Sequence, residues 1–370
     1  MATKSVTKSV TKSVSKHVPV TILTGFLGSG KTTLLNRILR EQHGHKIAVI
    51  ENEFGEASVD NDLLTQDTDE QIIEMNNGCV CCTVRGDLVR ILGELRDKRE
   101  AGQLAFERVI IETTGVAKPG PVAQTFFMDD AIAAYYLIDA VITVVDAKHG
   151  QQQLDAQEEA REQVGFADRI LLSKTDLVTP QEQAALRHRL VRMNPRAPIK
   201  PVHFGETSID EILDIRGFNL NAVLEIDPDF LRVEEEHAHP HAHEHDPAHV
   251  HDEHCGHEHV HHTHHDPVHH LDDIQSFVFF SDKPFDTLRL EEFMGGLTQV
   301  YGQDMLRYKG ILNVKGNPRR LLFQGVHMMM GADLGRPWAA GEKRCSKMVF
   351  IGRKLPQDIF LRGLENCLAK

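Results

Sequence analysis

No stretch of this chain approaches the roughly 18 consecutive apolar residues of a membrane-spanning helix, so no membrane partner is expected. Cysteine is scarce as well. Six in 370 residues cannot staple a disulfide scaffold. Three of them crowd into four positions, which reads as metal or redox chemistry in a reducing compartment, the cytoplasm. Positive charge is in deficit: 41 Lys and Arg stand against 54 Asp and Glu, a formal net charge of −13. No basic stripe offsets it, which argues against nucleic acid as a partner. The opening residues lack the apolar core of a secretory signal, and they hold no arginine. Thr3-Lys4-Ser5-Val6 instead repeats at 7–10 and 11–14, so residues 1–18 read as a disordered low-complexity tail.

A chain of 370 residues is too long for one ordinary domain. Short β-branched runs alternate with helical stretches through its first half: Thr21–Thr24, Lys46–Ile50, Gln71–Met75, Arg108–Ile111, Ala140–Asp146 and Arg169–Ser173. This order predicts an α/β fold, a mostly parallel sheet covered on both faces, over residues 19–230. Such sheets bind ligands at the carboxyl ends of their strands, where every unusual polar cluster of this chain lies. From about Glu234 the composition changes. A tract from His237 to His270 holds most of the 23 histidines, with Asp, Glu and Cys255 but almost no large apolar residue. Residues 231–272 therefore read as a flexible linker. Strands near Ile274–Phe280, Gly310–Val314, Arg320–Gln324 and Lys347–Ile351, with helices at Asp286–Tyr301 and Gln357–Ala369, predict a smaller α+β domain over 273–370.

One motif organises the first domain. A buried strand runs into Gly25-Phe26-Leu27-Gly28-Ser29-Gly30-Lys31-Thr32-Thr33, and a helix follows. Strand, glycine loop and helix make the context of a P-loop. Its amides close around phosphate oxygens, Lys31 reaches the outer phosphates and Thr32 offers a hydroxyl to Mg²⁺. Glu112-x-x-Gly115 ends a later strand. There a carboxylate holds Mg²⁺ through water, and a glycine amide can sense the γ-phosphate. Ser173-Lys174-Thr175-Asp176 ends another. Asp176 can accept from N1–H and the 2-amino group of guanine, and the Lys174 stem can lie over the base. The usual guanine signature begins with Asn where Ser173 stands, so GTP is preferred to ATP on Asp176 rather than on the whole motif.

Cys79-x-Cys81-Cys82 gathers three thiols, which suit Zn²⁺, with Cu(I), Ni²⁺ or Co²⁺ as alternatives. No second cysteine pair completes a structural zinc shell, so one position is left for a carboxylate, water or another protein's ligand. A Cys79–Cys82 redox pair and buried core cysteines are the competing readings. Glu51, Glu53 and Glu56 follow the second strand, as metal ligands or as a solvated acidic turn. The histidine tract has affinity for Zn²⁺, Ni²⁺, Co²⁺ and Cu²⁺ and reads as a metal buffer or as a soluble linker.

Taken together, Gly25–Thr33, Glu51–Glu56, Asn77–Cys82 and Ser173–Asp176 resemble the CobW-like P-loop GTPases. Leu306–Gly310, Arg320–Gly325, Arg336–Trp338 and Met348–Gly352 extend the likeness into the second domain. These stretches look most like the branch described as zinc chaperones. The resemblance implies a metallochaperone in which slow GTP hydrolysis, with Mg²⁺, drives delivery of Zn²⁺ (Co²⁺ or Ni²⁺ as alternatives) to a client apo-metalloprotein. It implies that Gly25, Gly28, Ser29, Gly30, Lys31, Thr32, Thr33, Gly115, Lys174 and Asp176 hold the nucleotide, with Lys31, Thr32 and Glu112 catalytic. Cys79, Cys81 and Cys82 would form the transfer site, with Glu51 and Glu56 as further ligands. The rival readings are a histidine-rich metal buffer with regulatory GTP binding, and a cobalt or iron insertion factor for one enzyme. A homo-oligomer is compatible with either.

Overall fold

The structure, a computed structural model, describes residues 17–41, 44–51, 71–74, 84–218 and 273–369. Residues 1–16 with the repeats, Glu53 and Glu56, the Cys79-x-Cys81-Cys82 motif and the histidine tract with Cys255 lie outside the described residues.

Among the described residues seven strands build the first sheet: β1 Val18–Thr24, β2 Ile47–Glu51, β3 Gln71–Glu74, β4 Arg108–Glu112, β5 Tyr136–Asp146, β6 Arg169–Ser173 and β7 Ile199–Val202. Their order is β3-β2-β4-β1-β5-β6-β7, and every neighbouring pair is parallel. Continuous apolar runs make this possible, because a parallel sheet is covered on both faces and needs no polar side. The covers are α1 Lys31–Arg40, α2 Val84–Glu100, α3 Pro119–Met128, α4 Asp130–Ala133, α5 Gly150–Ala156, α6 Glu158–Phe166 and α7 Pro180–Met193. The start of α7 is set locally. Pro180 follows Thr179, whose side chain and Glu182 complete a capping box.

The second sheet is antiparallel in the order β11-β10-β9-β12-β8. Its strands are β8 Ile274–Ser281, β9 Met305–Leu312, β10 Arg319–Val326, β11 Met329–Pro337 and β12 Ser346–Arg353. Helices α8 Thr287–Tyr301 and α9 Gln357–Asn366 pack on it. Phe277, Phe350 and Phe360 stack and cross in its core.

Two strands escape the sequence reading, and both are edges. β7 carries Pro201, which a central strand would not tolerate. β11 is glycine-bearing and largely exposed, so it shows no apolar alternation. The two sheets share apolar core. Ile274, Leu306, Val326, Val349 and Ile351 belong to the same buried cluster as Val164, Phe166 and the strands of the first sheet. Among the described residues no helix is long and apolar enough to cross a membrane.

Candidate functional site

The carboxyl ends of β1, β2, β4, β5, β6 and β7 all open on the same edge of the first sheet, and among the described residues the 25–33 loop, Glu112–Gly115 and Ser173–Asp176 meet there. The loop after β1 has its shape dictated by glycine. Gly25 has φ 144, and a Cβ on it would sit 2.3 Å from the Val144 carbonyl oxygen, so no other residue fits. Gly28 and Gly30 have φ of 72 and 98, left-handed values that L side chains avoid. Gly30 is the N-cap of α1. The Lys31 ammonium folds back on the loop, donating to the carbonyls of Gly25 (2.8 Å) and Phe26 (3.2 Å). Burial lowers its pKa, and the nearby Glu112 carboxylate opposes that shift.

Thr32, in the first turn of α1, donates its hydroxyl to Glu112 Oε1 at 2.9 Å. Glu112 is the last residue of β4 and 8% exposed. Two hard oxygens side by side next to Lys31 form the kind of donor set that suits Mg²⁺. The chain then turns through Thr113 to Lys118. Thr113 N–H donates to the Leu23 carbonyl, and its hydroxyl meets Thr24 Oγ1 at 2.9 Å. A Cβ on Gly115 would fall 2.6 Å from the Leu27 nitrogen, so this turn lies directly against the phosphate loop.

Ser173 ends β6 and explains its own departure from Asn. Its hydroxyl donates to the Ser29 carbonyl at 2.7 Å, tying β6 to the phosphate loop from beneath. Lys174, at φ 55, reaches across the loop, with Nζ donating to the Gly28 carbonyl (2.8 Å) and Asp146 Oδ2 (2.7 Å). Asp146 ends β5 and also accepts from His149. Burial alone would raise its pKa, but the hydrogen bonds from Lys174 and His149 outweigh it and hold the carboxyl low. Asp176 lies two residues beyond Lys174 and is half-exposed, with a carboxylate oxygen 3.5 Å from His203 Nδ1.

His203 and Phe204, just after β7, are site residues that the sequence did not disclose. Phe204 has φ 46 and is 75% exposed, an unusual state for an aromatic side chain. With Thr33, Asn36, Arg37, Arg40 and Glu41 it lines a cavity of about 530 Å³. Gln163 is another. It sits in α6 among Glu158, Glu159, Arg161 and Glu162, yet it is 1% exposed and its amide donates to the carbonyls of Gly115 and Ala117, both at 3.0 Å.

The structure brings Gly25, Gly28, Ser29, Gly30, Lys31, Thr32, Glu112, Gly115, Lys174 and, at the rim, Asp176 to one place. Thr33 faces the Phe204 side. Glu51 ends β2 and is the register partner of Glu112 on one side and of Glu74 on the other. Among the described residues no group of three or more His, Cys, Asp or Glu forms a metal cluster. Cys345 and Cys367 are free and buried, with thiol pKa values pushed up by burial, and take no part in the site.

Comparison with known proteins agrees with this geometry. A family profile described as "CobW/HypB/UreG, nucleotide-binding domain" matches residues 19–201. A second, described as "Cobalamin synthesis protein cobW C-terminal domain", matches residues 274–368. The chain is 41% identical over 342 residues to the Escherichia coli protein named zinc chaperone YjiA, across 92% of this chain and 96% of that one. It is 34% identical over 384 residues to the zinc chaperone CobW of Pseudomonas aeruginosa, across 95% and 92%. The crystal structure of Zn(II)-bound YjiA GTPase from E. coli matches with a TM-score of 0.71 and 37% identity, over 96% of this chain and all of that one.

Proposed function

The chain belongs to the CobW/HypB/UreG family and carries a CobW-type C-terminal domain, and from that premise we propose that it is a GTPase that delivers zinc to a client metalloprotein. The observation that carries the nucleotide half is the bond between Thr32 and Glu112 beneath a complete phosphate loop. The zinc half is supported by the names of two relatives, both called zinc chaperones, one of which is the YjiA GTPase seen bound to Zn(II), and by the Cys79-x-Cys81-Cys82 motif.

In this reading the amides of Gly25–Gly30 and the start of α1 receive the phosphates. Lys31 exchanges the Gly25 and Phe26 carbonyls for outer phosphate oxygens. Thr32 and Glu112 would hold Mg²⁺, which would supply charge neutralisation on the phosphates. Gly115, packed on Leu27, registers the γ-phosphate in this reading. The Lys174 stem covers one face of the base and Asp176 accepts from its edge. His203 and Phe204 border the same rim. Catalysis by such a site is positioning and electrostatics rather than covalent chemistry. Cys79, Cys81 and Cys82 hold the cargo zinc, joined by Glu51 or Glu56. Glu51 stands one strand from Glu112, so the two loops that leave these strands start side by side. Hydrolysis that rearranged them would change zinc affinity.

Linkage gives the test. If nucleotide alters zinc affinity, zinc alters nucleotide affinity by the same factor. Titration of GTP with and without Zn²⁺ should give different affinities in the wild type. A Cys81→Ser variant should lose that difference while keeping GTP binding. Equal GTP affinities in the wild type would sink the coupling.

A further inference from the structure

Helix α6 does more than cover the sheet. One side of it grips the 113–118 turn, and the next side grips the C-terminal domain. Gln163 holds the Gly115 and Ala117 carbonyls. Glu158 and Glu162, one helical turn apart and therefore on one face, accept from two cations that come from opposite directions. Lys118 closes the turn and caps α3, and its Nζ donates to Glu158 Oε1 (2.5 Å) and Glu162 Oε1 (3.1 Å). Arg353 ends β12 of the C-terminal domain, and its Nη2 donates to the same two oxygens, at 2.6 Å in the case of Glu158. Asp273, at the entrance to β8, joins the network through Arg161 (2.7 Å) and Arg353 (3.3 Å).

The packing leaves little slack along this route. A Cβ on Gly165 of α6 would fall 2.8 Å from Leu306 Cδ1 of the C-terminal domain. A Cβ on Gly120, in the first turn of α3, would fall 2.5 Å from His327 Nε2. At the other end, Gly115 touches Leu27 of the phosphate loop. Glu162 is almost buried, with a side chain 7% exposed. Burial raises its pKa, although Lys118 and Arg353 both act to lower it. Removing either cation leaves a buried carboxylate half-compensated, a costly state. Lys118 and Arg353 thus share one counter-ion pair, and a displacement of one changes what the other can hold.

We propose that Gln163, Glu158 and Glu162 are positioning residues that couple the 113–118 turn to the seating of the C-terminal domain through Lys118 and Arg353. The coupling of turn to domain stands on these contacts. Its use in signalling the phosphate state rests on the GTPase reading above. The chemistry of the coupling is a shared carboxylate pair, and its strength is a free energy that works equally in both directions.

Hydrogen exchange on the full-length chain measures it. Without nucleotide, Arg353→Met should speed exchange of the 113–118 amides about fivefold or more, the lower end of ordinary site-to-site coupling. Arg353→Lys should restore most of the protection. Lys118→Met should speed exchange in 346–353 by a similar factor. With GTP and Mg²⁺ present, the wild type should gain protection in 346–353, and Arg353→Met should lose that gain. Unchanged exchange at 113–118 in Arg353→Met, with 346–353 loosened, would overturn the proposal. If Arg353→Met does not fold, Lys118→Met decides from the other end, since unchanged exchange at 346–353 there is equally fatal. A wild type that binds no guanine nucleotide would remove the GTPase reading while the nucleotide-free comparison still judges the coupling.

Discussion

The Thr32 hydroxyl donates to Glu112 Oε1 across 2.9 Å, joining the first turn of α1 to the last residue of β4, which are 80 residues apart in sequence. The bond fixes two oxygens where a cation on the phosphates would need them. Replacing either by Ala should leave the loop glycines and Lys31 in place while removing the Thr32 hydroxyl or the Glu112 carboxylate. GTP hydrolysis should fall about a hundredfold or more, in the range seen when one preorganised electrostatic group is lost. The half-saturating Mg²⁺ concentration should rise. Phosphate release against Mg²⁺ concentration checks both. An unaltered Mg²⁺ dependence in Thr32→Ala would remove the residue from this role.

In the proposed GTPase, base selectivity falls to Asp176, because Ser173 is spent on the Ser29 carbonyl. A carboxylate that accepts from two guanine donors contributes a charge-assisted pair of bonds, each about 1.5–3 kcal/mol. Asp176→Ala should therefore weaken GTP at least tenfold. Asp176→Asn should instead move preference toward xanthosine triphosphate, whose 2-oxo group accepts from the new amide. Competition between the two nucleotides measures the switch, and an Asn variant that still prefers GTP would show that Asp176 does not read the base.

A pH signature belongs to the domain interface. Lys309 of β9 is nearly buried, 3.6 Å from Asp168 and beside Arg307. Burial, reinforced by the Arg307 charge, lowers its pKa to about 8. The unfolded chain keeps that proton up to about pH 10.4. Between these values the unfolded state binds more protons, so stability should rise with pH across that window. Below pH 8 the cost of burying the charge is borne in full. Lys309→Met should flatten the slope and stabilise the protein near neutrality, since Asp168 keeps Arg307 at 2.6 Å. Urea midpoints from pH 7.5 to 9.5 test this, and parallel slopes in the two proteins would contradict it.

How much of this was legible in the sequence depends on how local each constraint is. The phosphate loop reads directly, because Gly25, Gly28 and Gly30 are required by backbone angles and by the Val144 carbonyl. Glu112 and Asp176 read nearly as well, since Glu112 ends an apolar strand, Asp176 follows one by three residues, and parallel sheets collect ligands at that edge. Gln163 does not. Its neighbours Glu158, Glu159, Arg161 and Glu162 look like a solvated face, and only tertiary contacts reveal that the amide is buried. Phe204 was hidden for a related reason, because the strand it follows carries Pro201 and lacks a strand's pattern. Ser173 looked like a weakened motif, yet it is a hydroxyl put to a different use. The three-cysteine motif was plain in the sequence and lies outside the residues the structure describes.

The shared core bears on the segment that joins the two sheets. Phe218 is held before it, packed beneath Arg307 with the guanidinium 4.1 Å from its ring centre. Asp273 is held after it by Arg161. Both ends of the connection are thus pinned by contacts that do not involve the connection itself. For any connection between two fixed points, loop-closure entropy grows only slowly with length, about 0.6 kcal/mol per doubling. Between Phe218 and Asp273 the two sheets are therefore nearly indifferent to how many residues are added, which makes it a place where a histidine tract can vary in length without remodelling either sheet.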